Sequence, residues 1–220
     1  MKPLTLGYCP VGHGPSPFDD VFGVRQDVSK FGFSGVDAVV FWGGTDIHPS
    51  LYRHSTSLRS QAGQGPSSRD IFEWGAMKYC KLNKIPMIGV CRGAQMLCAA
   101  AGGWLVQHMS GHGNGNHAMI TSEGVVMQTT SAHHQLMYPF DVNHTVLAKT
   151  TRILSHTYLD GTDSEVDMEG KPEIEVCWFP DIKGLAIQGH PEWVNNDSEF
   201  AIYCNDLVRE YVLEMADITV

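Results

Sequence analysis

No apolar run in the chain approaches the roughly 18 residues needed to cross a bilayer, which excludes a spanning helix. The first residues, MKPLTLGYCPVGHGPSPF, hold one lysine, a short apolar stretch and early prolines, so they fit neither a secretory nor a transit peptide, and a cytoplasmic location is expected. Basic residues are scarce: 15 Lys+Arg stand against 24 Asp+Glu, a formal charge of −9. Nucleic acid and anionic membrane both demand a basic footprint, so neither is an expected partner. There is no CxxC among the six cysteines and no paired-knuckle spacing. Cys9, Cys80, Cys98, Cys177 and Cys204 therefore read as small buried apolar residues in a reducing compartment, and Cys91 stands apart. Phosphate loops are missing too: no G-x-x-x-x-G-K-[ST] occurs, and no G-x-G-x-x-G follows a strand and opens a helix. The chain cannot activate an acceptor with ATP by itself, and no cofactor is expected. Without an internal repeat, a low-complexity tract or a long linker, residues 1–220 read as a single domain. What is present, 43% hydrophobic and 18% charged residues over 220 positions, is enough for a core without disulfide staples.

Period and punctuation give the order of elements. Residues 4–9 make a short strand, followed by the Gly/Pro-rich loop VGHGPSP. Phe18, Val21, Phe22, Val28 and Phe31 cluster on one helical face and predict a helix over 18–31. VDAVVFW at 36–42, ended by Gly43-Gly44, has the continuous apolar profile of a strand buried on both faces. A polar loop follows over 45–66. Ser67 and Asp70 have capping-box spacing and start a helix over 68–82, with Phe72, Ala76, Tyr79 and Asn83 along one face. KIPMIGV at 84–90 is the next buried strand, and RGAQMLCAAA at 92–101 is a short helix stopped by Gly102-Gly103. Short β-like segments then run through WLVQHM, HAMITS, VVMQTT, TVLAKT, IEVCWFP and GLAIQ, with an Asp160-Gly161 turn signal and an acidic loop at 160–173. A helix over about 198–215, with Phe200, Cys204, Leu207, Val208 and Tyr211 at helical spacing, closes the chain.

The strongest chemical signal lies where the 84–90 strand meets the 92–101 helix. In Gly89-Val90-Cys91-Arg92-Gly93, small residues flank a cysteine at a strand-to-helix turn, the thiol version of a nucleophile elbow. Such a cysteine sits at a helix N-terminus, which favours a thiolate, and the N–H of Arg92 is placed to donate to an oxyanion. A nucleophile needs a base, and the base an orienting acceptor. The apolar segment GLAIQ leads at once into Gly189-His190-Pro191-Glu192, where imidazole and carboxylate lie two residues apart at the end of another buried strand.

These motifs together resemble class I glutamine amidotransferase domains, whose elbow reads G-x-C-x-G-x-Q and whose late motif reads G-H-P-E. Within that superfamily the chain is most similar to the gamma-glutamyl hydrolase and gamma-glutamyl-GABA hydrolase branch. GGTDIHPSLY (43–52), RDIFEW (69–74), IPMIGVCRGAQMLCAAAGGWLVQ (85–107), SAHHQ (131–135) and IQGHPEW (187–193) carry the resemblance, in the family's order. It implies an α/β fold, a doubly wound, mostly parallel sheet with flanking helices and additional antiparallel strands. It implies Cys91 as nucleophile, His190 as general base and acid, Glu192 as the group orienting His190, and an oxyanion hole from Arg92 and the Gly43-Gly44 turn. Gln95 and the segment around Ser131, His133 and His134 would hold the glutamyl amino and carboxylate groups. At the front, one strand-helix step of relatives is missing or compressed, since the 18–31 helix runs almost directly into FSGVDAVVFW. The front end is therefore expected to be shortened.

His108, His112 and His117, within QHMSGHGNGNH, have spacings that could hold zinc. No cysteine or carboxylate lies in that segment, and the resembled family has a histidine loop there without a metal, so no metal is expected. His133-His134 reads equally as a satisfied core pair and as a substrate contact. The expected reaction is cysteine-dependent hydrolysis of a gamma-glutamyl amide through a glutamyl thioester, releasing glutamate and an amine. The alternative is a glutaminase subunit that supplies ammonia to a separate synthetase. A non-catalytic scaffold on the same fold is the rival from another class. The partners implied are a small gamma-glutamyl substrate or glutamine and a synthetase, with a homodimer left open.

Overall fold

The computed structural model describes residues 3–9, 17–113 and 115–215. The VGHGPSP loop lies outside the described residues except for its final Pro17. In chain order the strands and helices are β1 (Thr5–Tyr8), β2 (Val24–Asp27), α1 (Val28–Phe31), β3 (Ala38–Phe41), α2 (Ser68–Asn83), β4 (Met87–Val90), α3 (Arg92–Ala101), β5 (Trp104–Val106), β6 (His108–Met109), β7 (Gly115–Thr121), β8 (Val126–Ser131), β9 (Leu136–Tyr138), β10 (Thr145–Thr150), β11 (Tyr158–Leu159), β12 (Ile174–Phe179), β13 (Gly184–Ile187) and α4 (Glu199–Leu207). A π-helical segment, Val208–Glu214, continues α4, and no described helix is long and apolar enough to cross a membrane.

Nine strands form one sheet in the order β2-β1-β3-β4-β13-β12-β10-β7-β8. The first five run parallel, and from β13 onward each pairing is antiparallel. The expected α/β fold is found, with its parallel half carrying the elbow. Period-2 alternation divides the sheet between two cores. Val40, Trp42, Ile88, Val90, Leu185 and Ile187 pack with Phe200, Cys204, Leu207 and Val208 on one face. Val39, Phe41, Met87 and Ala186 pack on the other with Met77 and Cys80 of α2 and Met96 and Leu97 of α3. Helices on both faces make the sheet doubly wound.

The front of the chain corrects the predicted helix over 18–31. Pro17–Asp20 is a single 3-10 turn, Val24–Asp27 is strand β2 paired parallel to β1, and only Val28–Phe31 is helical. Gly23 interrupts the helical run, and the edge of β1 offers residues 24–27 a ladder that a short helix cannot match. Phe18 and Phe22 are buried as the pattern requires, while Phe31 is 72% exposed. The strand expected to be missing is thus present, and the shortening falls on the helix after it, which is four residues long.

In α2 the capping box forms as predicted: the Ser67 side chain accepts from Asp70 N and the Asp70 carboxylate accepts from Ser67 N. Its buried side is a different one from that read off the apolar spacing. Asp70, Glu73, Ala76, Met77 and Cys80 face inward, and Tyr79 is 44% exposed. All six cysteines are free and buried.

Candidate active site

Strands β4 and β13 are parallel neighbours, with Ile187 opposite Val90, so the segments that leave their C-terminal ends emerge side by side. Cys91 N donates to Ile187 O at 2.8 Å, which ties the turn after β4 to the last residue of β13. Cys91 itself adopts φ 51 and ψ −106, a positive-φ conformation unusual for a residue with a Cβ, and α3 begins at the next residue. That strain is held by close packing of the flanking glycines. A Cβ on Gly93 would lie 2.0 Å from Phe41 O, and one on Gly89 would lie 2.5 Å from the Gly93 backbone. The predicted elbow is therefore present in backbone form.

His190 meets Glu192 through Nδ1, 2.8 Å from Oε1, while Cys91 lies near the other side of the ring. Cys91 and His190 are each 5% exposed. The main chain of His190 is fixed by Thr130 of β8: His190 N donates to Thr130 Oγ1 at 2.6 Å, and that hydroxyl donates back to His190 O at 3.2 Å. Trp193 stacks flat on the imidazole, centroids 3.7 Å apart and planes 1° apart, while remaining 58% exposed. Burial alone would lower the imidazole pKa, but the hydrogen bonds and charges of Cys91 and Glu192 outweigh it and raise it to about 9. His190 is thus protonated at neutral pH.

Gly43, after β3, supplies the close approach that completes the wall. A Cβ there would sit 2.6 Å from His190 Cε1 and 3.5 Å from Cys91 Cβ. The same turn is gripped from behind by Arg69, whose guanidinium donates to Gly43 O at 3.0 Å and Trp42 O at 2.8 Å. Glu73 accepts from Arg69 Nε at 3.0 Å and also from Arg92, and Arg92 pairs with Asp70 as well. The Arg92 side chain is therefore committed to α2, leaving its backbone at the elbow.

Gln95 is buried one turn into α3, with its amide nitrogen 3.3 Å from Gln135 O and 3.4 Å from Gln188 Oε1. Ser131 donates to His112 O at 2.7 Å, and His133 Nδ1 lies 2.8 Å from Gln135 O. His134 reaches the 45–66 loop, with Nε2 3.1 Å from Asp46 Oδ2. His108 joins that group through His134, 3.3 Å between the two Nδ1 atoms, and so parts from His112 and His117. The spacing-based trio of His108, His112 and His117 does not assemble. Four residues received no site role from the sequence: Thr130, Trp193, Arg69 and Glu73. Trp193 follows the H-P-E motif directly, and Arg69 and Glu73 have i,i+4 spacing, so local signals existed for both.

A sequence profile of the family described as Peptidase C26 matches residues 24–168. Among curated proteins, the carbamoyl phosphate synthase small chain of Xanthomonas campestris pv. campestris is 26% identical over 172 residues, covering 78% of this chain and 42% of that one. The carbamoyl phosphate synthase small chain of Escherichia coli K12 is 31% identical over 108 residues, 49% of this chain and 24% of that one. The chain thus spans less than half the length of these relatives. Among solved structures, a glutamine amidotransferase from Thermotoga maritima superposes with a TM-score of 0.57 at 13% identity, covering 99% of this chain and 91% of that one. A glutamine amidotransferase from Methylobacillus flagellatus gives 0.52 at 12% identity, covering 87% and 71%. At such identities the two structures speak for the fold alone.

Proposed function

Because the chain belongs to the Peptidase C26 family, we propose that it is a glutamine amidotransferase-type thiol hydrolase, a single domain over residues 1–220 that releases ammonia from glutamine for a separate synthetase. The observation that carries the proposal is the placement of Cys91 beside the hydrogen-bonded pair His190–Glu192 at the ends of adjacent parallel strands. The named relatives, small chains of a synthase, favour the ammonia-supplying reading over a free-standing hydrolase.

In this proposal Cys91 Sγ attacks the γ-carbonyl carbon of glutamine, and negative charge moves to the carbonyl oxygen. The N–H of Arg92 and an N–H of the Gly43-Gly44 turn stabilise that oxyanion. His190, its Nδ1 occupied by Glu192, presents Nε2 to the reacting atoms and gives its proton to the nitrogen as the C–N bond breaks. Ammonia leaves, and a glutamyl thioester remains on Cys91. A water molecule then loses a proton to His190 and attacks the thioester carbonyl, releasing glutamate and returning Cys91 and His190 to their starting states. Gln95 is proposed to help position the glutamyl group. The Ser131 hydroxyl and His133 Nδ1 already have intramolecular partners, so the proposed part of these residues is to shape the floor of the site, while His134 with Asp46 forms its rim.

A second reading, cleavage of a gamma-glutamyl conjugate without a partner, is favoured by the family's description as a peptidase. Glutamate release by the full chain decides between the two, with glutamine compared against gamma-glutamyl amines and peptides, with and without a synthetase. Release from glutamine that rises with the synthetase and disappears in Cys91→Ala supports the first reading. Efficient release from conjugates by the chain alone replaces it with the second.

A further inference from the structure

Behind the proposed active site lies a buried group of titratable side chains that the hydrolytic chemistry does not use. Glu173 and Glu175 on or beside β12 are both fully buried, and no lysine or arginine pairs with either among the described residues. Glu173 is well supplied with donors: Ser155 N at 2.8 Å, Tyr158 OH at 2.7 Å, Leu154 N at 2.9 Å and Thr150 Oγ1 at 3.1 Å. Glu175 is not. Its Oε1 meets His117 Nε2 at 2.8 Å, and its Oε2 is buried with no hydrogen-bond partner. Nε2 of His133 and both ring nitrogens of His112 are likewise buried without a well-formed hydrogen bond. Leaving such groups unpaired is costly, and buried carboxylates are kept only when paired, hydrogen-bonded or bound to a metal.

His112, His133 and Glu175 each offer one ligand atom, and these atoms lie within 4.8 Å of one another. The supports around them follow the pattern of a metal's outer partners, in which a ligating imidazole gives its other nitrogen to a carbonyl or carboxylate. His133 Nδ1 is engaged by Gln135 O at 2.8 Å, which leaves Nε2. His112 Nε2 lies 3.4 Å from Glu173 Oε2, and its Nδ1 lies 3.6 Å from Glu175 Oε1. His117 holds one oxygen of Glu175, which leaves the other. We propose that His112, His133 and Glu175 form a three-ligand site for a divalent transition-metal ion of the zinc type, with Glu173, His117 and Gln135 O as outer partners. Two imidazoles and a carboxylate suit such an ion, whose bonds of about 2.1 Å would draw the three ligand atoms closer together.

The ion would tie three separate pieces of backbone together: the segment after β6, the segment between β8 and β9, and β12. Ser131 of β8 donates to His112 O, and its neighbour Thr130 holds the main chain of His190, so the clamp would stiffen the support of the proposed base. This is a binding claim independent of the hydrolytic reading.

It is tested on the metal-stripped full chain carrying Cys91→Ser, which removes the one cysteine at the proposed active site. Titration with Co2+ should bind one equivalent, displaceable by Zn2+, with d–d bands of low-coordinate Co2+ and no thiolate charge-transfer band. Two paramagnetically shifted imidazole N–H resonances should appear, one per ligating histidine. Glu175→Gln and His133→Gln should each weaken binding more than tenfold, and Glu173→Gln should weaken it by about 10- to 100-fold. Absence of a bound equivalent at micromolar Co2+, absence of the shifted resonances, or unchanged affinity in folded Glu175→Gln and His133→Gln would overturn the site. The resonances require no ligand variant, so a variant that fails to fold leaves the test decisive.

Discussion

His190 carries its proton to an unusually high pH because two partners that favour the charged ring outweigh its burial. Its folded value of about 9 lies above the ordinary imidazole value of 6.5. The stabilisation that the charged ring contributes is therefore complete below about pH 6.5 and is lost as pH rises through about 9. A titration of the 13C-labelled histidines by NMR should show one midpoint near 9 assigned to His190, and Cys91→Ala should move it downward by removing one of the two partners. An unchanged midpoint in that variant would contradict the Cys91–His190 coupling. Single residues were where the sequence was most informative: the elbow glycines and the H-P-E motif each name a residue and a local geometry. The metal-type cluster was hidden, because Glu175 lies far beyond His133 in number and meets it only through the pairing of the antiparallel strands. Spacing along QHMSGHGNGNH pointed to His108, and the fold gave that histidine to His134 instead.

Among the elements, α2 does more for the site than its exposed apolar residues suggested. It presents Asp70 and Glu73 to Arg92, and Arg69 to the carbonyls of Trp42 and Gly43, so one helix braces both sides of the proposed oxyanion hole. Glu73 serves two guanidinium groups and is fully buried. Glu73→Gln leaves Arg92 and Arg69 short of a counter-charge and should cost about 3 to 5 kcal/mol in urea unfolding, the range for breaking a buried ion pair. Asp206→Asn, which breaks the exposed pair with Arg209, should cost less than about 1 kcal/mol. Equal costs would contradict the bracing role. The misplaced helix at 18–31 has a physical cause that spacing cannot show. Phe18 and Phe22 do bury together, but residues 24–27 answer to the edge of β1, a tertiary demand. The inward face of α2 was missed for a related reason: its buried side is charged, and a hydrophobic period cannot reveal a carboxylate buried against an arginine.

Over the whole molecule, parallel pairing from β2 to β13 and antiparallel pairing from β13 to β8 divide the labour. The parallel half positions Cys91 at a strand end, and the antiparallel half brings Thr130 across to hold His190. The parallel core was legible because buried strands read as continuous apolar runs ended by glycines. The short strands β9 and β11 were not, since three and two residues carry too little period to stand out. Whether the whole chain passes a glutamyl group through Cys91 is answered by mass spectrometry of the acid-quenched protein after mixing with glutamine. A glutamyl adduct is expected on the peptide containing Cys91, absent in Cys91→Ala, whose glutamate release should also be abolished. Glutamate release that persists in Cys91→Ala, with no adduct on the unaltered chain, would rule out Cys91 as the nucleophile.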